Sequence, residues 1–198
     1  PPSPLHAPVV LEDTRQGVAN LSNVFKAAGY HTAFLYGGEA HFDGMSTYFR
    51  GNGTAEVLEK KDFKNPVFTG PWGVSDEDLF KLAQSRLKAW HEAGQPFYAL
   101  IFTTSFHDPY KIPKGRVRLE GESSSWPEEK MLGAKYADLA LSEFLEAAKD
   151  EPWWQNTVVL VIADHESKVY ANQSLRVPRL RNGERSHEHF VHAHAVRA

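Results

Sequence analysis

Cysteine is absent from this 198-residue chain, which excludes a disulfide framework, a cysteine-ligated zinc site and a thiol nucleophile. Long apolar runs are absent as well. None approaches the roughly 20 residues that a membrane-spanning helix needs, and no charged, then apolar, then small-residue leader opens the sequence. Surplus positive charge is also missing: 22 Lys and Arg against 25 Asp and Glu leave a formal net charge of −3. That gives no basic field for nucleic acid, which drops out as an expected partner. No internal repeat of solenoid length occurs. What remains is the composition of a globular domain, 41% hydrophobic and 24% charged, long enough to bury a real core. The opening Pro1-Pro-Ser-Pro4 and the lack of an initiator Met read as a segment of a longer protein.

Apolar spacing at Val18, Leu21, Val24, Phe25 and Ala28 predicts a helix that Gly29 stops, followed by a strand over Tyr30 to Tyr36. The loop Gly37 to Gly44 comes next. Residues 51–74, rich in Gly and Pro, read as irregular with a short edge strand at Val67-Phe68. Ser75-Asp-Glu-Asp78 is a capping start for a helix reaching His91, with Leu79, Leu82, Ala83, Leu87 and Trp90 inside. Phe97 to Thr103 predicts a second buried strand. Residues 128–149 form the most regular helix, with Pro127 in its first turn. Val158 to Ile162 then reads as a strand covered on both faces of a parallel sheet. The alternation predicts an α/β fold, an α/β/α sandwich around a mostly parallel sheet.

Three strand-end loops carry polar groups: Glu39, His41 and Asp43; His107 and Asp108; Asp164, His165 and Glu166. In parallel strands these loops share one sheet edge, where ligands and catalytic groups collect. A carboxylate beside an imidazole, as in Asp164-His165, suits a divalent cation such as Zn or Mn, whereas Ca prefers an all-oxygen shell. Two donors are too few, so at least one more must come from elsewhere.

Five ordered motifs sharpen this. Tyr36-Gly-Gly-Glu-Ala-His-Phe-Asp-Gly-Met45, Trp72-Gly-Val-Ser-Asp76, Phe102-Thr-Thr-Ser-Phe-His107-Asp-Pro-Tyr110, Lys135-Tyr-Ala-Asp-Leu-Ala-Leu141 and Ala163-Asp-His165 resemble sulfatase-like proteins of the lipoteichoic-acid synthase and phosphoglycerol transferase group. That group lies in the alkaline-phosphatase-like superfamily, and the resemblance covers about residues 15 to 175. It implies the C-terminal part of a catalytic domain that transfers or hydrolyses at phosphate or sulfate esters. Asp164 and His165 would be metal ligands, and His107 a catalytic and substrate-binding group at the phosphoryl or leaving oxygen. Glu39 and His41 are candidate substrate contacts. The implied cofactor is a divalent metal ion, manganese ahead of zinc, magnesium or calcium. The implied substrate is a phosphate or sulfate ester, with a glycerophospholipid-derived one in view.

By the same resemblance the nucleophile and an acidic ligand lie upstream, so Thr103 and Thr104 are not substitutes and the chain alone is expected to be inactive. The whole protein is expected to be anchored in a bacterial inner membrane with this domain, itself soluble, facing the periplasm or cell exterior. Residues 1–175 form the expected catalytic part. From Arg176 the apolar pattern stops, and 176–198 reads as a divergent, strandless basic tail containing His187, His189, His192 and His194. Two other readings stay open: a binding or regulatory module that keeps the fold, and a metal-binding protein that uses the histidine tail.

Overall fold

The computed structural model describes residues 17–121 and 126–164, and the backbone of 194–197. The chain divides into two units, Ser3–Trp154 and Gln155–Ala198, the latter together with Pro1–Pro2.

In the larger unit, helix α1 (Leu21–Ala27) starts where the Asn20 side chain accepts the Asn23 N–H, and ends before Gly29 at φ +84°. Left-handed backbone there favours glycine. Strand β1 (His31–Tyr36) follows, then helix α2 (Met45–Gly51) and the short strand β2 (Glu56–Leu58). A small hairpin, β3 (Thr69–Gly70) and β4 (Gly73–Val74), leads to helix α3 (Asp76–Glu92), strand β5 (Phe97–Phe102) and helix α4 (Glu128–Lys149). The sheet runs β2-β1-β5 with every pair parallel, as the alternation of elements predicted.

Register assigns the layers. Tyr98 is the partner of Thr32, and its ring stacks on Phe25 of α1 at 4.7 Å. Side chains alternate along a strand, so Thr32, Phe34 and Tyr36 share that face, and Phe49 of α2 stacks on Phe34 at 4.0 Å. His31 and Phe97, paired with each other, face the other way, and both meet Trp90 of α3. Helix α4 lies on α3 through Phe80 and Phe144 at 4.8 Å. The result is helices, sheet, helices, with Phe34, Tyr36, Ala40, Met45 and Val57 as a buried cluster.

Several expectations need correction. The α1 residues Leu21 and Val24 are 53% and 61% exposed, so their helical spacing did not mark an inner face. Val67 is also exposed, and the strands of 51–74 are β2, β3 and β4 instead. Pro127 caps α4 from outside, its carbonyl accepting the Lys130 and Met131 N–H groups. The buried stripe of α4 runs through Gly133, Tyr136, Ala140, Phe144 and Ala148. β5 is half-buried along most of its length.

In the smaller unit, strand β6 (Val158–Val161) pairs antiparallel with strand β7 (His194–Arg197). The expectation of a strand covered on both faces in the parallel sheet is therefore corrected. Val158 is 74%, Leu160 51% and Ile162 52% exposed, because among the described residues of this unit no second layer covers that face. The expected strandless tail likewise contains β7.

A hydrogen bond ties α4 to α3 inside the larger unit: the Tyr136 hydroxyl donates to Glu77 Oε2 at 2.8 Å. Glu77 also receives Arg116, which reaches on to Glu143. Burial, first, holds the Tyr136 hydroxyl pKa above its ordinary value, with the Glu77 carboxylate adding to the rise. Tyr136→Phe is expected to lower stability by about 1.5–3 kcal/mol, the range for bonds to charged groups, as read from urea unfolding at neutral pH. The pH dependence has a definite sign. The unfolded tyrosine loses its proton first, so this contribution is complete below about pH 10 and declines as pH rises further. Tyr136→Phe should flatten that alkaline decline.

Candidate functional site

The parallel strands send their carboxyl ends to one edge, and the loops there are pressed together. After β1, Gly37 O accepts the Val74 N–H at 2.9 Å and Gly38 O accepts the Lys60 N–H at 2.9 Å. A side chain at Gly38 would begin 2.5 Å from Trp72 O, and one at Gly73, where φ is +145°, 2.1 Å from Gly37 O. No side chain fits at either position, so the backbone of 72–74 lies directly against the Gly37-Gly38 turn.

This approach shapes a cavity of about 200 Å³ lined by Tyr36, Glu39, His41, Phe42, Lys60, Pro71 and Trp72. Phe42 and Trp72 meet edge to face at 5.7 Å. Lys60 Nζ donates to Glu39 Oε1 at 3.0 Å, and His41 Nδ1 lies 3.7 Å from Glu39 Oε2. The Lys60 hydrogen bond and charge hold the Glu39 carboxyl below its ordinary pKa. Glu59, below β2, accepts the Ala40 N–H at 2.9 Å and forms a reciprocal cap with Asp62, which fixes the loop carrying His41. Asp43 sits in a tight turn at φ +50° and its charge raises the Tyr36 hydroxyl pKa, an effect second to burial.

After β5, the exposed His107 ring packs against Trp72 with centroids 4.1 Å apart and the two ring planes tilted by 48°. The Asp108 carbonyl lies 2.9 Å from His107 Nδ1 and accepts the Trp72 indole N–H at 2.6 Å. A carbonyl oxygen only accepts, so Nδ1 carries the hydrogen and Nε2 is the nitrogen left for other work. Trp72 thus connects two of the three polar loops: one ring borders the cavity of Glu39 and His41 and also touches His107.

The third polar loop follows β6. Asp164 is exposed at the end of the segment following β6, in the smaller unit, and His165 and Glu166 lie outside the described residues, as do His187, His189 and His192. Among the described residues no three His, Asp or Glu side chains converge to hold a metal. Asp164 supplies one hard oxygen donor. With the neighbouring imidazole its chemistry fits a cation such as Mn or Zn, while the count remains short of the three protein donors of a catalytic site.

Sequence reasoning did not single out Lys60 or Phe42, which line the cavity. Lys60 enters through β2, a strand of only three residues, and no pattern announced it.

The sulfatase family model matches residues 2–193. The chain belongs to the sulfatase family. Relatives within the curated proteins include phosphoglycerol transferase I of Salmonella arizonae, 24% identical over 150 residues that cover 73% of this chain and 20% of the relative. That of Citrobacter koseri is 23% identical with the same coverage, 73% and 20%. The chain thus spans about a fifth of the length of these relatives. Among solved structures, an alkaline phosphatase superfamily protein from Vibrio parahaemolyticus is 41% identical with a TM-score of 0.77, over 87% of this chain and 42% of that one. The lipoteichoic acid synthase LtaP from Listeria monocytogenes shares the fold at a TM-score of 0.75 and 24% identity, over 82% and 40% of the two chains. The sulfatase-family assignment and the α/β architecture agree with what the motifs implied. No helix among the described residues is long and apolar enough to cross a membrane.

Proposed function

We propose that this sulfatase-family chain carries the substrate-side half of a metal-dependent active site that transfers or cleaves a glycerol phosphate ester. The observation behind this is the His107 arrangement, a histidine whose Nδ1 is tied to the Asp108 carbonyl beside a cavity of about 200 Å³. A cavity of mixed aromatic and charged walls suits a small polyol phosphate. Glu39 would accept hydroxyl hydrogens, Phe42 and Trp72 would cover the carbon skeleton, and Lys60 or His41 would face the phosphate.

His107 would act through Nε2. Carrying a second proton on that nitrogen it can donate to a phosphoryl or leaving oxygen, while the Nδ1–H bond keeps the ring oriented. Asp164 and His165 would hold a divalent ion, manganese foremost, which when bound offsets charge on the phosphoryl oxygens. The nucleophile is not assigned to any residue of this chain, and Thr104 is engaged structurally, its N–H donated to Asp76. Relatives named phosphoglycerol transferase support phosphate over sulfate. The longer protein would be membrane-anchored and act outside the cytoplasm.

Calorimetric titration with Mn and Zn tests the metal assignment. Binding is expected in the native chain and should vanish in the Asp164→Ala/His165→Ala double variant. Binding lost only on deleting 186–194 would assign the metal to the histidine tail, and no binding at all would leave a module that kept the fold.

A further inference from the structure

Asp76 is the most deeply buried carboxylate described, 1% exposed at the first turn of α3. Its Oδ1 accepts two backbone N–H groups from the far side of the β5 loop, Thr104 at 2.9 Å and Ser105 at 3.0 Å. Ser105 Oγ in turn accepts the Asp76 N–H at 3.0 Å. Its other oxygen, Oδ2, is buried and has no hydrogen-bond partner. Burial pushes the Asp76 carboxyl pKa up, against the pull of the two amides and of the Ser105 hydroxyl. A helix start needs no such arrangement, because Ser75 already caps α3 through the Asp78 N–H.

The same short segment grips the loop at its other end. Four residues before Asp76, Trp72 packs against His107 and donates to the Asp108 carbonyl. Between them the Val74 carbonyl lies 3.4 Å from Thr104 Oγ1, and the Val74 N–H bonds Gly37 O. Residues 72–76 therefore touch the β1 turn on one side and residues 104, 105, 107 and 108 on the other. Phe106, between them, instead meets the rings of Tyr110 and Trp126.

We propose that Asp76 is a positioning residue for His107. By clamping Thr104 and Ser105 it sets where the loop leaves β5, so that the imidazole lands on Trp72 with Nδ1 at the Asp108 carbonyl. The role of His107 in turnover rests on the function proposed above, whereas the clamp itself rests on geometry alone. Asp76 touches neither the cavity nor His107, so its influence is indirect and small displacements matter. Misplacing a group by about 1 Å can cost about 100-fold.

The test is NMR of the isotopically labelled chain, reading the ring-current shift that Trp72 imposes on the His107 ring and the nitrogen shifts that report its tautomer. Asp76→Ala is expected to abolish the ring-current shift and mix the tautomers while amides of β1 and α4 stay in place. Asp76→Asn, whose amide oxygen can accept the same two N–H groups, should restore both signals. If Asp76→Ala does not fold, Asp76→Ser replaces it, since its hydroxyl cannot span both amides. A folded Ala or Ser variant with an unchanged His107 ring shift and tautomer overturns the proposal. Titration with sn-glycerol 1-phosphate, followed at the His107 ring, separates the two layers of inference. The native chain should respond, and Asp76→Ala should bind about tenfold or more weakly. A native chain whose His107 ignores that probe sinks the functional reading and leaves the clamp to be decided by ring shift and tautomer.

Discussion

Phe34→Ala is expected to destabilise the larger unit by about 3–5 kcal/mol, the range for deleting a buried aromatic ring. Phe34 is 1% exposed and lies mid-strand in β1, which has strands on both edges. Its ring contacts Phe49 at 4.0 Å, Tyr36 at 6.0 Å and Phe102 at 6.5 Å. Truncation leaves a gap that α2 on one side and the sheet on the other cannot both close, so transfer and cavity costs add. Domains are stable by only about 5–15 kcal/mol, and the variant should therefore sit near the edge of folding. Urea unfolding gives the readout, with Val67→Ala as the control: Val67 is 78% exposed and its loss should fall within about 0.5 kcal/mol. A Phe34→Ala cost below about 1.5 kcal/mol would show that the cluster repacks and that α2 is not anchored as described.

Periodicity made the long elements legible. α4 occupies the predicted residues because a 22-residue helix repeats its apolar spacing many times, and β1 stands out by apolar content between a glycine and a glycine pair. β2 was invisible because Glu56-Val57-Leu58 is too short for any period to show, and only its pairing with β1 makes it a strand. Val158 to Ile162 was read as a strand and β6 occupies Val158–Val161, yet its surroundings were misread. Apolar content reports what a strand could bury, whereas burial depends on which layers lie against it, as the exposure of Val158 and Leu160 shows.

The site was legible in the same uneven way. Glu39, His41 and His107 were named as candidates because strand ends are where such groups gather, and the fold places Glu39 and His41 on one cavity and His107 against Trp72. Asp76 was read only as an acid suited to a helix start. Its carboxylate instead serves Thr104 and Ser105, a contact made across 28 and 29 positions of sequence that no local pattern encodes. Trp72 offered a stronger signal, an aromatic residue in a Gly- and Pro-rich stretch, but its value lies in joining two loops, which only the fold creates.

In a protein extended to the length of its relatives, His107→Ala is expected to lower kcat for phosphodiester cleavage about 10²–10⁴-fold, the usual share of a positioned proton donor or acceptor. The present chain, which spans 20% of the curated relatives, is expected to show no turnover with or without the substitution. The reasoning runs through one nitrogen. Because Nδ1 is committed to the Asp108 carbonyl at 2.9 Å, Nε2 is the part of the ring that can reach a substrate oxygen, and Ala removes it together with the ring contact to Trp72. His107→Gln keeps a neutral donor of similar reach but cannot give up a proton, so it should restore substrate binding while leaving kcat low. Trp72→Phe removes the indole N–H and leaves an aromatic face. It should therefore cost less than His107→Ala and act on both KM and kcat, since Trp72 also walls the cavity. If His107→Ala changes kcat by less than about twofold in a folded, metal-loaded protein, His107 does not touch the reacting atoms. Its tie to Asp108 would then serve only to shape the loop.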